Sequence, residues 1–270
     1  MSLLAVNGLE YHVEEAGTGP ALLLLHGFTG SGASWQRLLP AFTPHYRVIT
    51  VDLPGHGATA TPPDPARYNI ENTAADLALI LKDLEIDRTA VLGYSMGGRV
   101  ALFFALRYPE KVSALVLESA SPGLPTEKER QDREAADNVL AEFIEEKGLA
   151  AFVGRWENLP LWTSQANLPE SVRADLHAQR LKNRPDGLAN SLRGLGTGAQ
   201  PSLWDDLESF TRPVFILTGE LDPKFTLTGQ LMEAKFQNAR REVVAGVGHT
   251  VHLENPGEFE KLVKGFLAGL

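Results

Sequence analysis

A chain of 270 residues without a single cysteine has no disulfide, no thiolate nucleophile and no zinc–thiolate site. Its formal net charge of -9 argues against a nucleic-acid partner, because phosphate backbones are bound by basic surfaces. With 43% hydrophobic and 22% charged residues it has the makeup of an ordinary globular protein, and single α/β domains of this size are common.

The opening stretch, MSLLAVNGLEYHVEEAG, lacks the basic start and long apolar run of a signal peptide, so a cytoplasmic location is expected. It reads as an antiparallel hairpin turning at Asn7-Gly8. Short apolar runs bounded by turn residues follow: 21–25, 47–52, 89–93, 112–118, 213–219 and 241–246. The longest aliphatic run, ALLLL, is far too short to span a bilayer, and no stable membrane contact is expected. Helical spacing fills the gaps, most clearly at Ala74, Leu77, Ile80, Leu81 and Leu84. Strands that are apolar throughout and alternate with helices indicate a mostly parallel sheet covered on both faces, an α/β fold.

The alternation stops after Glu118. From 121 to 200 the residues are charged or helix-forming, with TEKERQDREAADNVLAEFIEEKG the best helix, and about eighty residues is too long for an ordinary loop. This segment is expected to be a helical cap on a core made of 1–120 and 201–270. The proline-rich TATPPDPARY reads as an exposed loop.

Three segments carry chemistry. Gly93-Tyr94-Ser95-Met96-Gly97 stands between an apolar strand and a helix that starts at the serine, the pattern of a nucleophile elbow. A base for Ser95 is best supplied by His249, in AGVGHTVHLENP, with His252 as the competitor three residues on; His26 and His56 follow strands and read as loop braces. The orienting acid belongs at a strand end between the two, at Asp222 or its neighbour Glu220. The order Ser95, Asp222, His249 is that of a triad on an α/β-hydrolase sheet. Backbone amides of Met96 and Phe28 are the expected oxyanion donors.

The segments LLLLHGFTGSGASW, VDLPGHGAT, VLGYSMGGRVAL, LVLESASPGL, ILTGELDPKF and VGHTVHLENP occur in the order found in the α/β-hydrolase superfamily, which the chain resembles over nearly its whole length. Finer features, GYSMGGRVAL, ESASPGLPTEKERQDREAAD and RLKNRPDGLANSLRGLGTGAQPSLW, are similar to the pyruvate-eliminating synthases of menaquinone biosynthesis within it. That resemblance implies a small-molecule substrate with three carboxylates, a lyase reaction and no metal or organic cofactor. It also implies carboxylate binding by Arg99, Arg133 and Arg180, with Arg130 as a further candidate, and a pocket lined by Tyr94 and Trp156. Arg99 stands one helical turn from Ser95, whereas exposed-helix arginines such as Arg130 and Arg133 ordinarily face solvent. A carboxylesterase or carbon–carbon bond hydrolase with the same triad is the alternative. The enzyme is expected to act as a monomer or a small homo-oligomer.

Overall fold

The structure, a computed structural model, describes residues 2–270. The chain opens with β1 (Ser2–Val6) and β2 (Leu9–Ala16), an antiparallel pair joined through Asn7 and Gly8, whose φ values of 48° and 76° are those of a tight two-residue hairpin turn. Next come β3 (Ala21–Leu25), a single helical turn α1 (Leu39–Phe42), β4 (Arg47–Val51), α2 (Ile70–Asp83), β5 (Thr89–Tyr94), α3 (Met96–Arg107) and β6 (Val112–Glu118). Three helices follow: α4 (Glu127–Trp156), α5 (Glu170–Arg180) and α6 (Pro185–Leu195). The chain closes with β7 (Val214–Gly219), α7 (Pro223–Lys235), β8 (Ala239–Val244), the short α8 (Val251–Glu254) and α9 (Pro256–Leu267).

The eight strands form one sheet in the order β1-β2-β4-β3-β5-β6-β7-β8, parallel from β4 onward. Alternate residues of its central strands go to opposite cores. Leu23, Leu25, Val91, Leu115 and Ile216 join one cluster, while Leu22, Leu24, Leu92, Val116 and Phe215 join the other. Burial on both faces is why these strands are apolar at every position rather than at every second one.

Between β6 and β7 no strand occurs among the described residues. Helices α4 and α6 pack through Ala141, Ile144, Phe152 and Val153 against Leu188, Ala189 and Leu192, a small core separate from the other two. Helix α4 runs past Gly148, where the best-helix reading ends, to Trp156. Gly148, at φ 78°, only kinks it, because helix-forming residues resume directly after the glycine. Strand β8 lies two residues earlier than expected: Gly246, at φ 73°, turns the chain, and Glu220 donates its amide to the Val244 carbonyl. The proline-rich segment is not exposed throughout, since Tyr68 is fully buried beneath Gly194 of α6.

Candidate active site

Strand β5 delivers Ser95 to the N-terminus of α3 at φ 51° and ψ −109°, a backbone region that costs free energy for a residue with a side chain. The turn is tight enough that only glycine fits beside it. A Cβ on Gly93 would strike the Gly97 carbonyl, and one on Gly97 would strike the Leu25 carbonyl. Ser95 is held in place by its amide, which donates to the Glu118 carbonyl at 2.9 Å, and by its own carbonyl, which accepts from Arg99 N at 3.0 Å.

The Ser95 hydroxyl lies 3.0 Å from His249 Nε2, and His249 Nδ1 lies 2.6 Å from Asp222 Oδ2. Asp222 sits three residues past the end of β7, and His249 stands in the loop after β8. Both are buried, at 5% and 1% exposure, so little water competes for the bond between them. The imidazole is packed by the rings of Phe225, Tyr94 and Trp162, with centroids 4.6, 5.5 and 5.6 Å away. Glu220 is directed elsewhere, accepting the Gly246 amide at 2.8 Å. His252 is buried against a different carboxylate, with Nδ1 2.8 Å from Glu118 Oε2.

The two loop histidines brace backbone. His26 Nε2 accepts the Leu53 amide at 3.0 Å, so its Nδ1 carries the proton that meets the Gly27 carbonyl. His56 Nδ1 donates to the Pro54 carbonyl at 3.1 Å and its buried Nε2 meets no acceptor, which favours the neutral ring. Burial and the nearby His26 push the His56 pKa down to about 3.

Ser95 and His249 open into a cavity of about 310 Å³ that Phe28, Met96, Arg99, Arg133 and Trp156 also line. The amides of Phe28 and Met96 meet no acceptor among the described residues. Arg99 is 8% exposed, and its guanidinium donates to Gln200 Oε1 at 2.8 Å and to the Leu195 carbonyl at 2.7 Å. Both partners are neutral. No carboxylate lies within ion-pair distance of Arg99 among the described residues. Burial and the neighbouring Arg133 lower its pKa to about 10 against the opposing pull of the Asp137 carboxylate, which still leaves it charged at neutral pH. Arg133 reaches the cavity with Nε on Asp137 at 2.8 Å, and the second oxygen of Asp137 is buried without a partner.

Two of the proposed arginines are placed otherwise. Arg130 does not line the cavity: its guanidinium is taken up by the Leu124 and Pro125 carbonyls at 3.1 and 3.3 Å, bracing the start of α4. Arg180 lines a neighbouring cavity of about 290 Å³, separated by the shared wall of Phe28, Tyr94 and Trp162. It pairs with Glu157 at 2.9 Å over the Trp162 ring, and its buried Nε is unpartnered. Tyr94 belongs to that wall, with its hydroxyl 2.8 Å from Thr250 Oγ1 and its pKa pushed well up by burial. Sequence reasoning missed Trp162, Gln200, Phe225 and Asp137. Only Asp137 carried a signal, as the acidic residue one helical turn after Arg133.

The chain matches the α/β hydrolase fold family over residues 20–256. A Bacillus subtilis (strain 168) protein, provisionally named 2-succinyl-6-hydroxy-2,4-cyclohexadiene-1-carboxylate synthase, is 44% identical over 272 aligned residues, covering 100% of this chain and 99% of the relative. The protein of that name from Escherichia coli O1:K1 is 32% identical, covering 88% of this chain and 89% of its own. The solved structure of MenH from S. aureus superposes with a TM-score of 0.92 at 36% identity, covering 96% of this chain and 98% of that one. An esterase from Thermogutta terrifontis has a TM-score of 0.87 at 24% identity, covering 99% of this chain and 98% of that one, a likeness of fold alone. An eight-stranded, mostly parallel sheet with this elbow, and relatives this similar over all or most of their length, place the chain in the 2-succinyl-6-hydroxy-2,4-cyclohexadiene-1-carboxylate synthase family of the α/β-hydrolase fold.

Proposed function

We propose that this chain eliminates pyruvate from 2-succinyl-5-enolpyruvyl-6-hydroxy-3-cyclohexene-1-carboxylate to give 2-succinyl-6-hydroxy-2,4-cyclohexadiene-1-carboxylate, in the cytoplasm, as a step of menaquinone biosynthesis. The observation that carries this reading is Arg99: a buried, charged guanidinium with only neutral partners, in the cavity that holds Ser95 and His249. The nearest counter-charge, Asp137, is paired with Arg133 and makes no direct ion pair with Arg99, and a buried cation left in that state is costly unless an anion completes it. A substrate with three carboxylates does so, and a neutral ester does not.

In this reading Ser95 is a base. His249 Nε2 takes the hydroxyl proton, and Asp222 orients the ring and stabilises the imidazolium. The serine oxygen then removes the ring proton beside the succinyl ketone. Negative charge moves to the ketone oxygen, where the amides of Phe28 and Met96 stabilise it as an enolate. As the enolate collapses, the new double bond displaces the ring alkene by one position and the carbon–oxygen bond to the enolpyruvyl group breaks; the departing enolate takes the proton held by the His249 imidazolium and leaves as pyruvate, restoring the neutral ring. Oxidation state is conserved, so the step needs no redox partner.

Arg99 and its neighbour Arg133 bind substrate carboxylates in the cavity. Arg180 acts across the Tyr94–Trp162 wall, and Trp156 shapes the pocket. Residues 121–200 serve as a cap over the core formed by 1–120 and 201–270, so the charge that selects the substrate comes partly from a segment outside the sheet.

The test generates the substrate in situ with the preceding enzyme, adds this protein, and follows pyruvate release against a buffer blank and against an aryl ester. Fast pyruvate release with feeble ester cleavage is expected. Brisk ester hydrolysis without accelerated pyruvate release refutes the lyase and leaves a carboxylesterase or carbon–carbon bond hydrolase.

A further inference from the structure

The loop that carries His249 is held by a carboxylate that the chemistry above does not use. Glu254 Oε2 accepts the amide of Gly248 at 2.7 Å, and Glu254 Oε1 accepts the amide of Thr250 at 3.1 Å. Those amides are the immediate neighbours of His249 in the chain. One side chain therefore spans the backbone of the histidine, and its charge strengthens both hydrogen bonds.

Thr250 is also tied through its Oγ1 to Tyr94 and Gln165 at 2.8 and 3.1 Å, but Glu254 alone holds the backbone amides on both sides of His249. Gly248 has no side chain to lock the loop, and a Cβ there would strike Ser164 of the segment between α4 and α5, so the close approach requires the most flexible residue at that point. Farther along, the loop is anchored by His252, whose amide donates to Glu118 Oε1 at 2.9 Å. Glu118 is the residue whose carbonyl accepts the Ser95 amide, so that anchor refers the loop to the elbow. The anchor lies three residues beyond His249, however, while the clamp of Glu254 acts on both sides of it. Glu254 lines neither cavity.

We propose that Glu254 is a positioning residue for the proton transfer between Ser95 and His249: it fixes the backbone on both sides of the histidine so that Nε2 stays 3.0 Å from the serine oxygen. This rests on the reading of Ser95 and His249 as the proton-transferring pair. Misplacement by about 1 Å can cost about a hundredfold in rate, so the clamp acts on turnover and leaves substrate affinity alone.

The test compares Glu254→Ala, which removes both acceptors, with Glu254→Gln, which keeps one oxygen and turns an amide nitrogen toward the other N–H. For each variant, kcat and KM for pyruvate release and the Tm are measured. The rate at which a fluorophosphonate labels Ser95 is measured too, since labelling needs His249 as base but no carboxylate recognition. The expected result is a loss in kcat of about tenfold to a hundredfold for Glu254→Ala, a smaller loss for Glu254→Gln, KM within about twofold, and labelling that falls in parallel.

Unchanged kcat and labelling overturn the proposal, as does a raised KM at constant kcat, or a loss that merely follows the unfolded fraction at the assay temperature. Should Glu254→Ala fail to fold, Glu254→Gln decides alone, by the same criteria. If the substitutions slow labelling while the native chain releases no pyruvate, the positioning role stands and the proposed reaction fails. If the native chain releases pyruvate and the substitutions alter neither rate, the positioning role alone fails.

Discussion

Replacing Arg99 with methionine keeps most of the side-chain volume and removes the charge. Arg99 is charged before the change, because a pKa of about 10 leaves only about 0.1% neutral guanidinium at pH 7. Two opposing effects act on stability. The Leu195 carbonyl and the Gln200 side chain lose their donors, at about 1 to 3 kcal/mol for each acceptor left unsatisfied, while the desolvation of a cation without a direct ion pair is relieved. These offset one another, so a modest change in Tm is expected. Catalysis has no such compensation. A charge-assisted hydrogen bond to a substrate carboxylate contributes about 1.5 to 3 kcal/mol, which at about 1.36 kcal/mol per decade is a loss of about 13-fold to 160-fold in kcat/KM for pyruvate release. The coupled pyruvate assay gives this number, and hydrolysis of an uncharged aryl ester gives the control. A kcat/KM for pyruvate release that stays within about threefold of the native value, or an equal fall with the ester, would show that the Arg99 charge has no carboxylate partner in the reaction.

Ser95→Ala should lower kcat by at least several hundredfold with substrate binding largely retained, since it removes the base and leaves the arginines; a loss below about tenfold would assign the base elsewhere. Acid unfolding should show the His56 ring. Its folded pKa of about 3 lies below the ordinary 6.5, so between those values the unfolded chain holds a proton that the folded chain lacks. Stability should therefore fall as pH drops through this window, by up to about 1.4 kcal/mol per pH unit from this ring. His56→Gln should flatten the slope of urea-unfolding free energy between pH 6 and 4, leaving the part due to His26, whose pKa burial also lowers. An unchanged slope would mean that His56 is not neutral in the fold.

What sequence reasoning could reach was set by range. The elbow is local: Gly93, Ser95 and Gly97 act within one strand–turn–helix, and the glycines are required by backbone atoms that the motif itself brings together, or by the adjacent end of β3. The central strands were legible because burial on both faces leaves few polar positions to confuse their limits, whereas at the edge strand β8 the exposed Arg240 and Glu242 blur the pattern. The second half of the site depends on tertiary docking. Arg130 and Arg133 lie three residues apart on α4, yet one turns back to the loop that starts the helix and the other reaches the cavity. Which does so follows from how α4 rests on α6, and helical periodicity carries no such information. Arg180 is placed by the same kind of contact, through Glu157 and the face of Trp162. Gln200 and the Leu195 carbonyl meet Arg99 from about a hundred residues away along the chain.

The same geography explains how a hydrolase framework can be turned to elimination. Ser95, Asp222, His249 and Phe28 all stand past the C-terminal ends of parallel strands, where an open α/β sheet ordinarily gathers its ligand. The cations come from elsewhere: Arg99 from the first turn of α3 and Arg133 from α4. Charge can therefore change without disturbing the triad. Arg99 also acts in the same direction as the N-terminus of α3, whose free amides already favour negative charge near Ser95. In the proposed reaction a charged group there lowers the cost of forming a serine alkoxide and holds the substrate carboxylate beside it. An acylating serine needs the first effect only, and gains nothing from a buried charge that a neutral ester leaves unpaired. The second effect requires a substrate that is itself an anion, so on the proposed reading it is the charge of Arg99, more than the triad, that separates the two chemistries.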